Sequence, residues 1–463
     1  MRLAATIAAL GLLVLSSCSS DKPEQAADWD LVVVVLDALP AGHLGLFGYQ
    51  PNGSETAISP QIDAFATGTR DHTALNFTAA FASASYTLAS TASLFTGTSP
   101  ATHGVLGLSS NVLSQNHLTL AEAFKGAGFA TCALSSNPNI STEGRFDQGF
   151  DTFRHYFRDK FERHSLPETL IPDAGAWWQH NEGQRRLLYA HLLPPHQPYD
   201  PPAPHDKLFG ASEVPRDEGL TPALTSLSKR RDLTASTPEV QRIRRRYDAG
   251  VHYADSLFGK LLETLAGEDG HGLDHTVIVL TSDHGEAFAE HGIILHGGGV
   301  NDELAHVPLI VAFPKGADAP TGTYPHVIST EDLAPSLAEL FDIAFPGDAK
   351  APSFWQQVQA NEPTGRPALT RSAGDRPLWS LRTDSATLID HRASDTTLLF
   401  DRETDATEGL NRADTDPALT SELRATLDTR LQAARAAAKD FPRANTPELV
   451  HKDALEELGY FGD

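Results

Sequence analysis

The sequence predicts an α/β fold, a sandwich built on a mostly parallel central sheet, with a small C-terminal α+β subdomain. Three observations lead there. Short apolar, β-branched runs recur at residues 31–36, 129–134, 187–192, 276–280 and 307–313, with helical patterns between them. That texture belongs to strands buried on both faces by crossover helices. Two of the runs end on an acid, Asp37 and Asp283, and an open α/β sheet places its reacting groups at the carboxyl ends of its strands. After about residue 365 the pattern changes to short alternating runs at 378–382, 386–390 and 396–401, the signature of an antiparallel meander.

The helices follow from their boundaries. Ser59-Pro60 opens one that runs to about Thr67, with Pro at the favoured first position. Residues 87–95 read as a helix that ends at Gly97. Residues 238–265 form a long amphipathic helix carrying Arg242, Arg244, Arg245 and Arg246, a basic run read as a solvated face answering local carboxylates. Further helices are expected at 331–341 and 419–437. Residues 201–236, rich in Pro, Ser, Thr and charge, read as a long loop over the substrate rim. The domain division expected is a leader (1–18), a polar tether (19–28), a catalytic domain (29–365), the C-terminal subdomain (366–440) and a tail (441–463).

Composition limits the partners. The chain has 463 residues, 40% of them hydrophobic, and 60 acidic against 36 basic side chains give a net charge of −24. Nucleic acid is excluded as a partner, because phosphate backbones need clustered cations. An anionic substrate is not excluded, since a bound metal reverses the local field. At the N-terminus, Arg2, an apolar run over 3–15 and Ser16-Ser17-Cys18 make a signal peptide too short to span as a mature helix. Leu15-Ser16-Ser17-Cys18 resembles a bacterial lipobox. That resemblance implies cleavage before Cys18, a lipid anchor on its thiol, and a location at the outer membrane or the periplasmic face. A plain secretory signal with an incidental Cys is the alternative. Cys132, the other cysteine, lies in an apolar strand pattern and reads as an inert core thiol. The sequence is silent on oligomeric state.

The richest stretch is Thr281-Ser282-Asp283-His284-Gly285-Glu286, followed by His291 and His296. Asp and His together suit a divalent metal, and further His suits acid–base work near neutral pH. Three other segments join it: Leu36-Asp37-Ala38 with His43; Tyr86-Thr87-Leu88-Ala89-Ser90-Thr91 through Leu94-Phe95-Thr96-Gly97, with His103; and His191 through Pro195-His196-Gln197. Thr87 opens a helix, where its hydroxyl meets unpaired N–H groups and the positive end of the dipole. By itself Thr87 is equally readable as an ordinary N-cap.

In chain order the four segments resemble the sulfatase family of the alkaline-phosphatase superfamily, over about residues 28–440. The resemblance implies an alkaline-phosphatase-like sandwich and ester hydrolysis. It makes Asp37, Asp283, His284 and Thr87 ligands of one divalent metal ion, with Thr87 also the nucleophile. It places His196 on a substrate oxygen and His296 on the leaving group; His191, His291 and His103 would be partners that orient ligands.

The departures from the family pattern carry information. Where sulfatases with an oxidised nucleophile have Cys-x-Pro-Ser-Arg, this chain has Thr87-Leu88-Ala89-Ser90-Thr91. A secondary alcohol cannot become the formylglycine aldehyde, so none is expected. Ala38 replaces the family's second acid, and Pro40 and Gly42 replace the following Arg and Asp. With fewer anionic oxygens the site suits Zn²⁺ or Mn²⁺ better than Ca²⁺, although Ca²⁺ stays open. A threonine alkoxide also suits in-line displacement at phosphorus better than sulfate expulsion. Three readings remain: a sulfatase-like hydrolase of sulfate or phosphate esters, a phosphodiesterase or head-group transferase on the same fold, and a non-catalytic, lipid-anchored binding protein on a degenerate scaffold.

Overall fold

The computed structural model of the chain describes residues 28–51, 53–68, 72–106, 112–157, 167–347 and 350–441. The lipobox with Cys18 and most of the tether and tail lie outside the described residues.

Eight strands make the central sheet: β1 (Asp30–Leu36), β2 (His72–Phe77), β3 (Ala130–Ser135), β4 (Thr152–His155), β5 (Arg186–Leu192), β6 (Thr276–Thr281), β7 (Leu309–Pro314) and β8 (Gly322–Tyr324). Their spatial order is β8-β2-β7-β6-β1-β5-β3-β4. All neighbours run parallel except β7, which is antiparallel to both β2 and β6. β1 shows why the sheet is covered on both sides. Its Val32, Val34 and Leu36 enter one apolar layer, and its Leu31, Val33 and Val35 enter the other. A strand that is apolar at every position has no face left for water.

The first layer is closed by α1 (Pro60–Ala66), α4 (Pro167–His180) and α5 (Pro238–Ala266), through Ile62, Phe65, Leu170, Trp178, Tyr247 and Phe258. The second is closed by α2 (Thr87–Thr96), α3 (Leu120–Gly126) and α6 (Leu333–Leu340), through Leu94, Phe95, Phe124, Leu333 and Leu337. Gly97 takes φ +66 after α2 and ends it with a left-handed residue, the conformation glycine adopts without steric cost. Helix α6 is shorter than the periodicity of 331–341 indicates, because Thr330–Asp332 is wound as a 3₁₀ turn with Ser329 as its cap. β2, β4, α3 and α4 carry no strong periodic signal and were not anticipated.

The stretch 201–236 is not the open loop its composition indicates. It holds 3₁₀ segments at His205–Glu213 and Arg216–Gly219 and a short helix at Thr221–Ser228. The arginine run on α5 fixes it in place. Arg242 pairs with Glu218 and Arg245 with Glu213, as a solvated face would. Arg246 differs: it is buried and donates to the Tyr199 carbonyl at 2.8 Å and to Asp200 at 3.1 Å.

The C-terminal subdomain is an antiparallel sheet of β9 (Ala368–Arg371), β10 (Trp379–Arg382), β11 (Ala386–His391) and β12 (Thr396–Asp401), in that order. Helix α7 (Pro417–Ala437) covers it with Leu423, Leu427 and Leu431, spaced at i, i+4, i+8. The subdomain reaches the site through its first strand. Arg371 exchanges backbone hydrogen bonds with Ser83 and Ser85, and its guanidinium donates to the Tyr86 hydroxyl at 2.8 Å. Ala373 N–H donates to Gly297 O, and Gly297 N–H donates to Ser85 O, each at 2.8 Å. The segments that carry Thr87 and His296 are thereby tied together.

Candidate active site

The parallel run β6-β1-β5-β3 brings four chain segments to one edge. Asp283 follows β6, Asp37 follows β1, His191 is the next-to-last residue of β5, and Asn137 follows β3. All four are buried. Thr87 comes from above them, as the first residue of α2. It does not cap that helix. Tyr86 holds the cap position, and the Thr87 hydroxyl lies 3.2 Å from His284 Nε2.

His284 is oriented by its own neighbour. Nδ1 lies 2.8 Å from Gly285 O, so Nδ1 carries the proton and Nε2 presents a lone pair. Gly285 cannot carry a side chain here: a Cβ would meet the Glu303 carbonyl oxygen at 2.1 Å. His284 Nε2 also lies 3.7 Å from Asp37 Oδ1 and 3.5 Å from Asp283 Oδ2. Those two oxygens are buried without a hydrogen-bond partner. Orphaned buried carboxylate oxygens are costly unless something cationic sits among them. Asp37, Asp283, His284 and Thr87 therefore fit a divalent ion, and the structure brings all four together.

A second grouping competes with this one. Ligand atoms of Asp37, His191 and Asp283 lie within 4.8 Å of one another. His191 Nε2, however, is 3.0 Å from Asp37 Oδ2, the oxygen that is already hydrogen-bonded. The two oxygens left without a partner, Asp37 Oδ1 and Asp283 Oδ2, are the ones near His284 Nε2 instead.

Ala38 stands where the family pattern has an acid. It takes φ +58, an unfavourable conformation for a residue with a Cβ. Two contacts hold it: its N–H donates to Asp283 Oδ1 at 3.2 Å, and its carbonyl accepts from the Tyr247 hydroxyl at 2.6 Å.

His296 and His196 complete the site. The His296 ring lies 4.4 Å from the His284 ring and 4.8 Å from the His196 ring, centroid to centroid. His296 Nδ1 is 3.0 Å from Glu286 Oε1, and His196 Nδ1 is 2.6 Å from Gln197 O. Burial sets the electrostatics. It would raise Asp37, but His196, His191 and His284 outweigh it and hold that carboxyl far below the usual range. It would lower His284, but Asp283 and Asp37 outweigh it and raise the imidazole. Burial, then His284, pushes His296 down to about 3, while burial lifts Glu286 to about 7.

The sulfatase family model matches residues 30–343, well over half of the chain. The chain belongs to the sulfatase family. Human iduronate 2-sulfatase is 26% identical over 432 residues, covering 74% of this chain and 76% of the relative. A solved structure of a protein in complex with its substrate D-glucosamine-2-N,6-O-disulfate superposes with TM-score 0.70 at 17% identity, covering 89% of this chain and 98% of that one. The phosphonate monoester hydrolase of Agrobacterium radiobacter superposes with TM-score 0.69 at 17% identity, covering 88% and 96%. This sulfatase-family chain is thus an ester hydrolase by family, on the family's fold.

The remaining histidines of the sulfatase motifs lie off the site. His103 Nε2 is 3.0 Å from the Ser93 hydroxyl, on the far turn of α2. His291 Nδ1 is 2.9 Å from Glu303, and its Nε2 is 3.3 Å from Glu408 O, a link to the C-terminal subdomain. Cys132 is buried, and burial pushes its thiol up to about 12, as an inert core thiol requires.

His291 supports a pH prediction. The hydrogen bond that His291 Nδ1 donates to Glu303 raises it from 6.5 to about 9 against burial. The folded chain then holds this proton more tightly than the unfolded chain does. The resulting stability is fully present below pH 6.5 and is lost as pH rises through about 9. Discounted for partial exposure, it amounts to about 1 kcal/mol. His291→Gln should melt below the parent at pH 6 and together with it at pH 9.5. A gap that is constant across that range would count against the assignment.

Sequence reasoning missed Asn137 and Glu286 and underrated His191. Asn137-Pro138-Asn139 does follow an apolar strand run, so the rule that found Asp37 could have found it.

Proposed function

We propose that this protein cleaves phosphate esters, diesters before sulfates, through Thr87 as nucleophile. The observation that carries the reading is the Thr87 hydroxyl 3.2 Å from His284 Nε2 at the head of α2, among the orphaned oxygens of Asp37 and Asp283. A divalent ion bound by Asp37, Asp283, His284 and Thr87 would polarise the ester and favour the threonine alkoxide. Thr87 Oγ1 then attacks phosphorus in line, and the ester oxygen leaves as the alcohol. The first turn of α2 directs its N–H groups at the negative charge that develops. His196 steadies a non-bridging oxygen. His296 hands an Nε2 proton to the leaving oxygen while Glu286, whose carboxyl burial raises, supplies one to Nδ1. Water attacking the phospho-threonine at phosphorus releases the product and returns the alcohol.

The preference for phosphorus rests on the nucleophile's chemistry. A threonine ester of sulfate has no aldehyde to collapse to, so it needs water to attack sulfur directly. The structural likeness to a phosphonate monoester hydrolase agrees with this reading. Sulfate-ester hydrolysis is the second reading, favoured by the iduronate 2-sulfatase similarity. A paired rate separates them. The purified, metal-loaded chain receives an aryl phosphate diester and an aryl sulfate in parallel, with Thr87→Ala as background. Faster Thr87-dependent diester cleavage is expected. Faster sulfate release would overturn the preference, and inactivity on both with no bound metal would favour a binding protein on a degenerate scaffold.

A further inference from the structure

Each of the two carboxylates at the metal site has one engaged oxygen and one open oxygen. Asp37 Oδ2 accepts from Asn137 Nδ2 and from His191 Nε2, the latter at 3.0 Å. Asp283 Oδ1 accepts the N–H of Ala38 at 3.2 Å and of His284 at 3.0 Å. Asp37 Oδ1 and Asp283 Oδ2 have no such partner.

The donors on Asp37 are themselves fixed. Asn137 Oδ1 accepts the Asn139 N–H at 2.7 Å, so the amide cannot turn over and Nδ2 must be the atom facing Asp37. The Tyr189 hydroxyl is 2.8 Å from His191 Nδ1. With that hydroxyl donating to Nδ1, His191 carries its proton on Nε2 and donates to Asp37. An imidazole nitrogen that carries a proton for a carboxylate offers no lone pair to an ion.

We propose that Asn137 and His191 are positioning residues that hold Asp37 to one-oxygen ligation, and that they thereby make this site select Zn²⁺ over Ca²⁺. This rests on the ion lying among Asp37, Asp283, His284 and Thr87. A carboxylate whose second oxygen already accepts two hydrogen bonds ligates through the first. Asp283 is held the same way by backbone N–H groups. Two single oxygens, one imidazole nitrogen and one hydroxyl oxygen make a four-donor set with nitrogen in it. That set matches tetrahedral Zn²⁺ and falls short of the six to eight oxygens Ca²⁺ takes. At position 38 the chain has Ala, which adds no oxygen.

The test is metal binding to the full chain after chelator stripping, with Zn²⁺ and Ca²⁺ each titrated by competition against a chromophoric chelator. No substrate is present, so the result stands apart from catalysis. The parent should bind one Zn²⁺ per chain and prefer it to Ca²⁺ by more than about 1000-fold, the mark of a site with few, nitrogen-containing donors. Asn137→Leu should lose about 10- to 100-fold in Zn²⁺ affinity, as outer partners of ligands do. Its Zn²⁺/Ca²⁺ ratio should narrow by at least tenfold, because Asp37 can then offer both oxygens. Tyr189→Phe, which deletes only the hydroxyl behind His191, should shift the ratio the same way by less. It serves where Asn137→Leu fails to fold by circular dichroism.

An unchanged ratio in the folded variants overturns the proposal, as does a parent that prefers Ca²⁺. Loss of all Zn²⁺ binding in His191→Phe, with Asn137→Leu unaffected, would make His191 a ligand and also overturn it. Thr87-dependent turnover alongside an unchanged ratio would remove this inference and leave the proposed function standing. Absence of any bound metal would remove both.

Discussion

Thr87→Ala is expected to abolish turnover, by more than about 1000-fold, while the chain stays folded. The size follows from what the hydroxyl is asked to do. In the proposed reaction it is the atom that forms the covalent bond. Ser90 is one helical turn on, and its hydroxyl is already committed to the Asp283 carbonyl. The fold should survive because Ala is a strong helix former at an N-terminal helical position, and because Tyr86, not Thr87, occupies the cap. The structural cost is one buried hydrogen bond, about 1 kcal/mol. Initial rates on the preferred ester, with circular dichroism as control, check it. A variant that keeps a tenth of parental activity would remove Thr87 from the mechanism. Thr87→Ser, which restores a hydroxyl on the same carbon, should recover measurable turnover.

Asp283→Asn should have an effect of the same order for a different reason. The replacement keeps a carbonyl oxygen to accept the N–H groups of Ala38 and His284. It puts an NH₂ where Asp283 Oδ2 now lies without a partner, and an NH₂ cannot ligate a cation. Metal content should fall below one ion per chain, and turnover should drop by more than about 1000-fold, since the proposed ion would both activate Thr87 and offset the developing charge. Stability gives a second readout. A ligand that binds only the folded chain raises its melting temperature by mass action, so chelation should lower the parent's melting temperature. The variant's should not move, because it has no ion to lose. With one fewer buried anion beside Asp37, it should melt no lower than the stripped parent. Retention of one tightly held ion per chain in Asp283→Asn would refute the ligand set.

Asp37, Asp283 and His284 were legible in the sequence because each follows an apolar run long enough to be a buried strand. In a parallel sheet, the residue after such a strand has few places to be other than the functional edge. Thr87 was legible only through its neighbours. A threonine opening a helix is commonplace, and the local pattern alone could not distinguish cap from nucleophile. The structure removes only the cap reading: Tyr86 takes that position, and the Thr87 hydroxyl lies 3.2 Å from His284 Nε2. The 201–236 stretch misled because its composition reports polarity, whereas its structure is imposed by α5. Arg242 and Arg245 pair with Glu218 and Glu213, and Arg246 donates to the Val214 carbonyl, partners 24 to 32 residues away along the chain, farther apart than local sequence patterns reach.

What the sequence determined by itself was local: which runs are strands, which acids end them, where α2 begins and stops, and the family. Those follow from propensity, burial pattern and turn chemistry, which act over a few residues. The tertiary structure decided which strands are neighbours, and so which side chains share a buried volume. The order β6-β1-β5-β3 sets Asn137 and His191 against Asp37 across 100 and 154 residues of chain. It also leaves one oxygen of each carboxylate open to the same point in space. Coordination depends on distance and direction between atoms from separate strands. Those are properties of the packed sheet and cannot be read from any one strand.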